Sequence, residues 1–185
     1  MVLVDVLSLL LLFAVAVVPL VPTEVVLIGM GVAAADGGRS LVPVVVVAAV
    51  GCLISDYLLY TLGRRGGARL LDRLRSRAAA EQTAQWITRH LERHGLPALV
   101  AARWLPAGGT VGSLLAGTLR WPRGRFVAAS AIGVTLWCTY AGLLGYAGGT
   151  ALRRSDPAST LVVLLAALAC VAGVVVFRRV LAMRA

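Results

Sequence analysis

Long apolar stretches alternate with short polar segments along the whole chain. Six apolar stretches can be delimited, at residues 2–22, 25–35, 41–62, 97–118, 126–149 and 158–177. A helix needs about 20 apolar residues to cross a hydrocarbon core of roughly 30 Å. The uninterrupted stretches of that length are 2–22, 41–62, 126–149 and 158–177. The pattern therefore predicts an all-α protein whose helices cross a membrane several times.

The first stretch, residues 2–22, also has the length of a secretory signal peptide, with a cleavage site at residues 14–16 (Ala-Val-Ala). A signal peptide begins with a positively charged region, whereas the only charge near the start of this stretch is Asp5. We therefore expect a membrane helix that is retained.

The segment 18–38 is too broken to form a spanning helix. It contains Pro19 and Pro22, and Gly29 and Gly31 follow in its apolar part. About ten helical residues rise only roughly 15 Å, which is half of the hydrocarbon core. The segment is therefore predicted to be a re-entrant hairpin that enters and leaves the membrane on one side, where protein or water must cover its broken backbone.

The segment 97–118 is long enough to span but is interrupted in its middle. Pro106, Gly108 and Gly109 lie within four residues of one another. Interrupted hydrophobic segments in corresponding places of two halves are typical of transporter binding sites. We predict a second re-entrant hairpin here, and a kinked spanning helix is the alternative.

The distribution of arginine predicts the orientation. Residues 63–93 carry eight arginines against three acidic residues, so the positive-inside rule places the segment 63–95 in the cytoplasm. The two hairpins then open to opposite faces as an inverted repeat, and both termini are cytoplasmic. Only Arg153 and Arg154 disagree with the positive-inside rule, because this orientation places them on the outer side of the membrane. The apolar positions of 63–95 predict two short amphipathic helices at the membrane surface, with a solvated charged linker as the alternative for its second half.

The composition agrees with a membrane protein and excludes several other classes. Hydrophobic residues make up 59% of the 185 residues and charged residues 14%, whereas soluble domains have about 25% charged residues. The net charge of +10 does not indicate nucleic-acid binding, because no aromatic residues alternate with the arginines to form a stacking surface. Three cysteines lie in apolar stretches without metal-ligand spacing, and His90 and His94 lack a third ligand, so no metal or other cofactor is expected.

Glu24 is an acidic residue with apolar sequence on both sides. A carboxylate at membrane depth costs at least a few kcal/mol and is therefore a candidate functional group. Because burial favours the neutral form, Glu24 is a candidate proton carrier. The alternative is an exposed Glu at the mouth of the first hairpin.

Arg103 is the corresponding charge of the second hairpin and also has apolar neighbours. A buried arginine needs an anion, which Glu24 or the phosphate of a ligand could supply. Asp56 lies within the apolar stretch 41–62 and is a further candidate partner of Arg103. The alternative is an arginine that extends to the cytoplasmic surface.

Several short motifs follow one another in a characteristic order between Pro19 and Gly149. They are Pro22-Thr23-Glu24, Ser55-Asp56 with Tyr60, Gly63-Arg64-Arg65-Gly66-Gly67, Arg93-His94-Gly95, Arg103-Trp104-Leu105-Pro106, Ala116-Gly117 with Arg120 and Phe126, and finally Gly133, Trp137 and Leu144-Gly145-Tyr146. In this order they resemble the DedA family of bacterial inner-membrane proteins, also called SNARE-associated or VTT-domain proteins. The family usually has a second arginine three residues after the hairpin proline, where this chain has Gly109.

The resemblance implies a single membrane domain over residues 1–185, with two opposed re-entrant hairpins and a small transporter fold unlike that of LeuT. It implies transport of a phosphate-bearing lipid, either undecaprenyl phosphate or a phospholipid, across the inner membrane and driven by protons. Carried onto this chain, the proton-linked acids are Glu24 and Asp56, the phosphate-binding residues are Arg103 and Arg120, and the hairpin-shaping residues are Pro22, Pro106, Gly108 and Gly109.

Two other functions are weighed against transport. A scaffold that maintains the envelope without moving lipid becomes more credible because Gly109 replaces the second arginine. A lipid-phosphate phosphatase would need a nucleophile or base near the arginine, but both histidines lie in the surface segment. We therefore expect a protein that is not an enzyme. The lipid, the coupling ion and a homo-oligomeric state are left open.

Overall fold

The computed structural model describes residues 2–19, 23–38, 40–66, 78–105 and 107–154. This part of the chain is helical and contains no strand, which confirms the predicted all-α class. Its helices are α1 (Val2–Val17), α2 (Thr23–Asp36), α3 (Val42–Gly66), α4 (Ala78–His94), α5 (Leu96–Ala102), α6 (Gly108–Thr118) and α7 (Arg123–Arg154). The predicted spanning stretch 158–177 lies outside the described residues, as do Pro22 and Pro106.

Two of these helices are long and apolar enough to cross a membrane. They are α3, with 25 residues, and the Arg123–Ala151 part of α7, with 29 residues. At 1.5 Å per residue, α3 is about 38 Å long. Both coincide with the predicted spanning stretches 41–62 and 126–149. By contrast, α1 ends at Val17, before a turn at residues 18–19, and is shorter than the predicted stretch 2–22.

The described helices fall into two compact units, each of which is treated by itself. Among the described residues, the first unit contains those up to Gly51 and those from Thr135 to Arg154, and the second contains Cys52–Val134. Unit one therefore holds α1, α2, the first part of α3 and the last part of α7. Unit two holds the rest of α3, all of α4, α5 and α6, and the first part of α7.

In unit one, α2 is a single uninterrupted helix, so Gly29 and Gly31 do not break it. Gly31 is buried, and a Cβ atom there would lie 2.6 Å from the carbonyl oxygen of Gly142 in α7. The glycine thus permits a close helix contact and does not mark a turn. With 14 residues, α2 is about 21 Å long, which is less than a membrane span. The re-entrant placement of residues 18–38 stays a prediction.

The core of unit two is built around α4 and two stacked rings. Tyr60 of α3 and Phe126 of α7 are fully buried, and their ring centroids are 4.4 Å apart. Ala84, Ile87 and Leu91 form the buried face of α4, which contacts α5 and α6. These positions are those of the predicted amphipathic face, and their burial rules out a solvated linker for residues 78–94. The location of α4 at a membrane surface stays a prediction, and residues 67–77 lie outside the described part.

The predicted break in residues 97–118 separates two short helices. After α5 the chain turns at residues 103–105, and α6 begins at Gly108 and contacts α5. A Cβ atom at Gly108 would overlap the carbonyl oxygen of Ala102, so only glycine allows the two helix ends to approach this closely. Ala107, which precedes α6, adopts the left-handed conformation with φ 58°. Entry of this pair into a membrane from one side stays a prediction.

Candidate functional site

A buried ion pair between Arg103 and Asp56 lies at the centre of unit two. Nη1 of Arg103 is 2.5 Å from Oδ2 of Asp56, and their side chains are only 13% and 7% exposed. Arg103 belongs to the turn after α5, whereas Asp56 lies within α3. Among the partners considered from sequence, Asp56 is therefore the one that the structure shows. The burial of Arg103 disagrees with an arginine that extends to the surface.

Ser130 of α7 completes a cluster with this pair. Its hydroxyl donates to the same carboxylate oxygen, Oδ2 of Asp56, that Arg103 contacts. The buried carboxylate thus accepts one hydrogen bond from a neutral hydroxyl and one from a charged guanidinium, and these replace the hydration that it loses on burial. The cluster ties together α3, α7 and the turn between α5 and α6. Three elements that are distant in sequence thus converge on one oxygen atom.

A small, partly open cavity adjoins the ion pair. Small residues leave room around the guanidinium of Arg103. A Cβ atom on Gly133 would be 3.4 Å from Cδ of Arg103, and one on Gly109 would be 3.6 Å from Nη1. The lining includes Asp56, Arg103, Gly109, Ser113, Ser130 and Gly133.

One donor of Arg103 is left over in this arrangement. Its Nε atom is buried and has no hydrogen-bond partner among the described residues. An unpaired buried donor costs about 1–3 kcal/mol, and such a group calls for an acceptor that the described residues do not supply. A phosphate oxygen is a suitable acceptor, because arginine binds phosphate through two parallel N–H groups.

Arg120 does not join this cluster. It follows the C-terminal end of α6, whereas Arg103 precedes the N-terminal end, and the 11 residues of α6 separate the two by about 16 Å. Arg120 is exposed, adopts φ 54° and is not among the residues that line the cavity. The structure therefore does not bring the predicted second phosphate-binding arginine to the first.

A separate hydrogen-bond network lies at the end of α6 where Arg120 is found. The Tyr60 hydroxyl donates to the carbonyl oxygen of Trp121 at 2.5 Å and accepts from Nη1 of Arg64 at 2.8 Å. This network fastens α3 to the turn between α6 and α7.

Glu24, the remaining acidic residue predicted to carry protons, belongs to unit one. It lies in the first turn of α2, where a negative charge interacts favourably with the helix dipole, and its side chain is exposed. Its role in proton transfer stays a prediction.

The two histidines contribute no visible metal site. His90 stacks on Trp86 with ring centroids 4.2 Å apart, and its Nδ1 lies 2.8 Å from the Trp86 carbonyl oxygen. Within residues 2–154, where described, no group of three His, Cys, Asp or Glu side chains could hold a metal ion. The side chain of His94 is not described.

Sequence reasoning missed the part of α7 that completes the site. Ala129, Ser130 and Gly133 line the cavity, and Gly133 follows the other two by four and three residues, a spacing that makes residues neighbours on a helix surface. A buried serine on the same face as a glycine, inside a predicted span, was the available signal.

Comparison with known proteins connects this site to a family. The model of the VTT domain matches residues 21–147, which contain Asp56, Arg103 and Ser130. The inner membrane protein YohD of Escherichia coli is 31% identical over 119 residues, or 64% of this chain and 60% of that protein. Protein DedA of Escherichia coli is 26% identical over 131 residues, or 71% of this chain and 60% of that protein.

A third relative has a name that states a function. Undecaprenyl phosphate transporter A of Bacillus subtilis is 23% identical over 125 residues, or 65% of this chain and 61% of that protein. The chain spans less than two thirds of the length of these curated relatives. No solved structure matches it. Because the VTT-domain model covers well over half of its residues, the chain belongs to the VTT-domain family, the DedA family that its motifs resemble.

Proposed function

We propose that this protein lies in the bacterial inner membrane with several spanning helices and moves a phosphate-bearing lipid across the bilayer. The observation that carries the proposal is the buried Arg103, whose Nε lacks an acceptor beside a small cavity. A phosphate that leaves water must exchange its hydration for fixed hydrogen-bond donors. The name of the Bacillus subtilis relative supports a lipid phosphate as the cargo.

In this proposal Arg103 holds the lipid phosphate, Asp56 positions Arg103, and Ser130 in turn positions Asp56. The break between α5 and α6 supports the proposal, since irregular backbone at membrane depth is tolerated where it lines a polar cavity. Asp56 and Glu24 are proposed to exchange protons during the cycle, so that protonation couples lipid movement to the pH gradient. The relatives are named as membrane proteins or as a transporter, and this supports transport over enzymatic turnover.

The test measures trans-bilayer movement of labelled undecaprenyl phosphate and of a labelled phospholipid in proteoliposomes, with and without a pH gradient. Arg103→Ala should abolish movement of the transported lipid, and Glu24→Gln should remove its response to the gradient. Arg89→Ala is the matched control, because Arg89 is an exposed arginine of α4 whose Nε donates to the Gln85 carbonyl of the same helix. It should move lipid at the wild-type rate.

The results separate transport from the alternatives. If the wild-type protein moves neither lipid, the result contradicts transport and favours a scaffold. Movement that persists in Arg103→Ala means that Arg103 does not hold the phosphate. An unchanged response to the gradient in Glu24→Gln contradicts the proton role of Glu24.

A further inference from the structure

The charges that line the cavity cancel. Among its described lining residues, Arg103 is the cation and Asp56 the anion, and the others are glycines, serines, alanine and leucine. One positive and one negative charge leave a formal charge of zero. Both charged side chains are largely buried, so solvent screens them little.

Arg103 can nevertheless bind an anion without releasing Asp56. Only Nη1 contacts the carboxylate, and Nε has no acceptor among the described residues. The planar guanidinium presents Nε and Nη2 hydrogens in parallel along a second edge, which matches two oxygens of a phosphate. The ion pair and a bound phosphate are therefore compatible on the same arginine.

The number of charges on the phosphate then decides how well it fits. A phosphate monoester carries about −1.5 to −2 at pH 7 because its second pKa is about 6, whereas a diester carries a single negative charge. Because the charges of the cavity itself cancel, the first negative charge of a phosphate already makes the site net negative, and a second one adds to the repulsion from Asp56 with no cation to balance it. Arg120 does not supply that cation, because it lies at the opposite end of α6.

We infer that the site takes a lipid whose phosphate is a singly charged diester, in preference to a doubly charged phosphate monoester. The inference rests on the proposed function, since it presupposes that Arg103 receives a lipid phosphate. It separates this chain from its Bacillus subtilis relative, whose name specifies undecaprenyl phosphate, a monoester.

Two lipids with identical acyl chains isolate the headgroup charge in a test. Phosphatidylglycerol is the diester and phosphatidic acid the monoester, and each is labelled and followed in proteoliposomes of the full chain at pH 7.5. The wild-type protein should move phosphatidylglycerol at least about a hundredfold faster, which is the order expected for one uncompensated buried charge. At pH 5.5 phosphatidic acid loses most of its second charge, and the difference should close.

Movement of the diester, phosphatidylglycerol, is the control for effects of pH on the protein itself. The ionisable side chains that line the cavity are Asp56 from α3 and Arg103 from the turn after α5, whereas the described lining residues of α6 and α7 are glycines, an alanine and serines. The headgroup charge of phosphatidylglycerol is the same at both pH values, so the change for this lipid measures the effect of pH on the protein and corrects the change for phosphatidic acid.

A gain of charge at Gly109 tests the cause directly. The atoms nearest to a Cβ atom placed there belong to the Arg103 guanidinium, at 3.6 Å or more, which is an ordinary van der Waals contact. Gly109→Arg should shift the preference toward phosphatidic acid at pH 7.5. Gly109→Gln is the neutral control of similar length and should keep the wild-type preference. Thermal unfolding of both variants in detergent verifies that they fold.

The outcomes distinguish the inference from the function on which it rests. Equal or faster movement of phosphatidic acid by the wild-type protein at pH 7.5 overturns the charge selection and leaves lipid transport intact. A Gly109→Arg variant that folds and keeps the preference for phosphatidylglycerol also overturns it. If the protein moves none of the three lipids, phosphatidylglycerol, phosphatidic acid or undecaprenyl phosphate, the proposed function is overturned and the inference with it.

Discussion

Replacement of Asp56 by asparagine should destabilise the protein much more than the loss of one ordinary hydrogen bond. Asparagine keeps the size of the side chain but removes the charge, so the guanidinium of Arg103 stays buried without a counter-ion. The Arg103 side chain is 13% exposed and cannot regain much hydration without moving. Ser130 would also lose a charged acceptor for its hydroxyl.

The distance and burial determine the size of this effect. At 2.5 Å, two unit charges attract each other by about 6–7 kcal/mol at an effective dielectric constant of about 20. Desolvation of the two groups offsets most of this attraction, so the intact pair contributes little net stability. Removal of one partner leaves the desolvation of the other uncompensated, and this costs about 3–5 kcal/mol.

A double-mutant cycle measures the effect. Asp56→Asn and Arg103→Gln should each lower the midpoint of thermal unfolding in detergent by about 10 °C, at roughly 2–4 °C per kcal/mol for a chain of this size. The double variant should be no less stable than either single variant, because neither charge is then left alone. Losses that add up in the double variant, or single variants as stable as the wild-type protein, would show that Asp56 and Arg103 do not compensate each other's charge.

Two further predictions concern packing and the second hydrogen-bond network. Gly108→Ala should prevent the close approach of α5 and α6, since the new Cβ atom would overlap the carbonyl oxygen of Ala102, whereas Gly109→Ala should fold normally. Protein yield and the midpoint of thermal unfolding are measured for both variants. Equal values for the two variants would contradict the difference in packing. Tyr60→Phe removes the hydroxyl that donates to the Trp121 carbonyl and should lower the free energy of unfolding by about 1–2 kcal/mol. The lipid preference should not change, as a transport assay would show. An unchanged midpoint of thermal unfolding would mean that this hydrogen bond contributes nothing to stability.

Features that depend on local pattern could be predicted from the sequence. The two long apolar stretches became α3 and part of α7, because burial or membrane insertion of a helix requires a continuous apolar run. The buried face of α4 follows from apolar residues at helical spacing. The interruption before Gly108 was recognisable since proline and glycine act on the backbone wherever they occur.

Local pattern was misleading where glycine has two uses. Gly31 was expected to break a helix, but it lies inside α2 and permits the close approach of Gly142. Glycine weakens a helix by a fraction of a kcal/mol up to about 1 kcal/mol, and a close helix contact can offset that amount. The neighbour that provides the contact is more than 100 positions away in sequence, so no local window contains it.

The composition of the site was decided by tertiary structure alone. The sequence named Arg103 and Asp56 as ionisable residues that need partners, because a charge in an apolar stretch is costly wherever the stretch is buried. It did not determine that they pair with each other, that Ser130 donates to the same oxygen, or that Arg120 lies at the other end of α6. The requirement for a partner is a property of each residue and its neighbours in the chain. The identity of the partner depends on which helices pack together, and only the fold determines this.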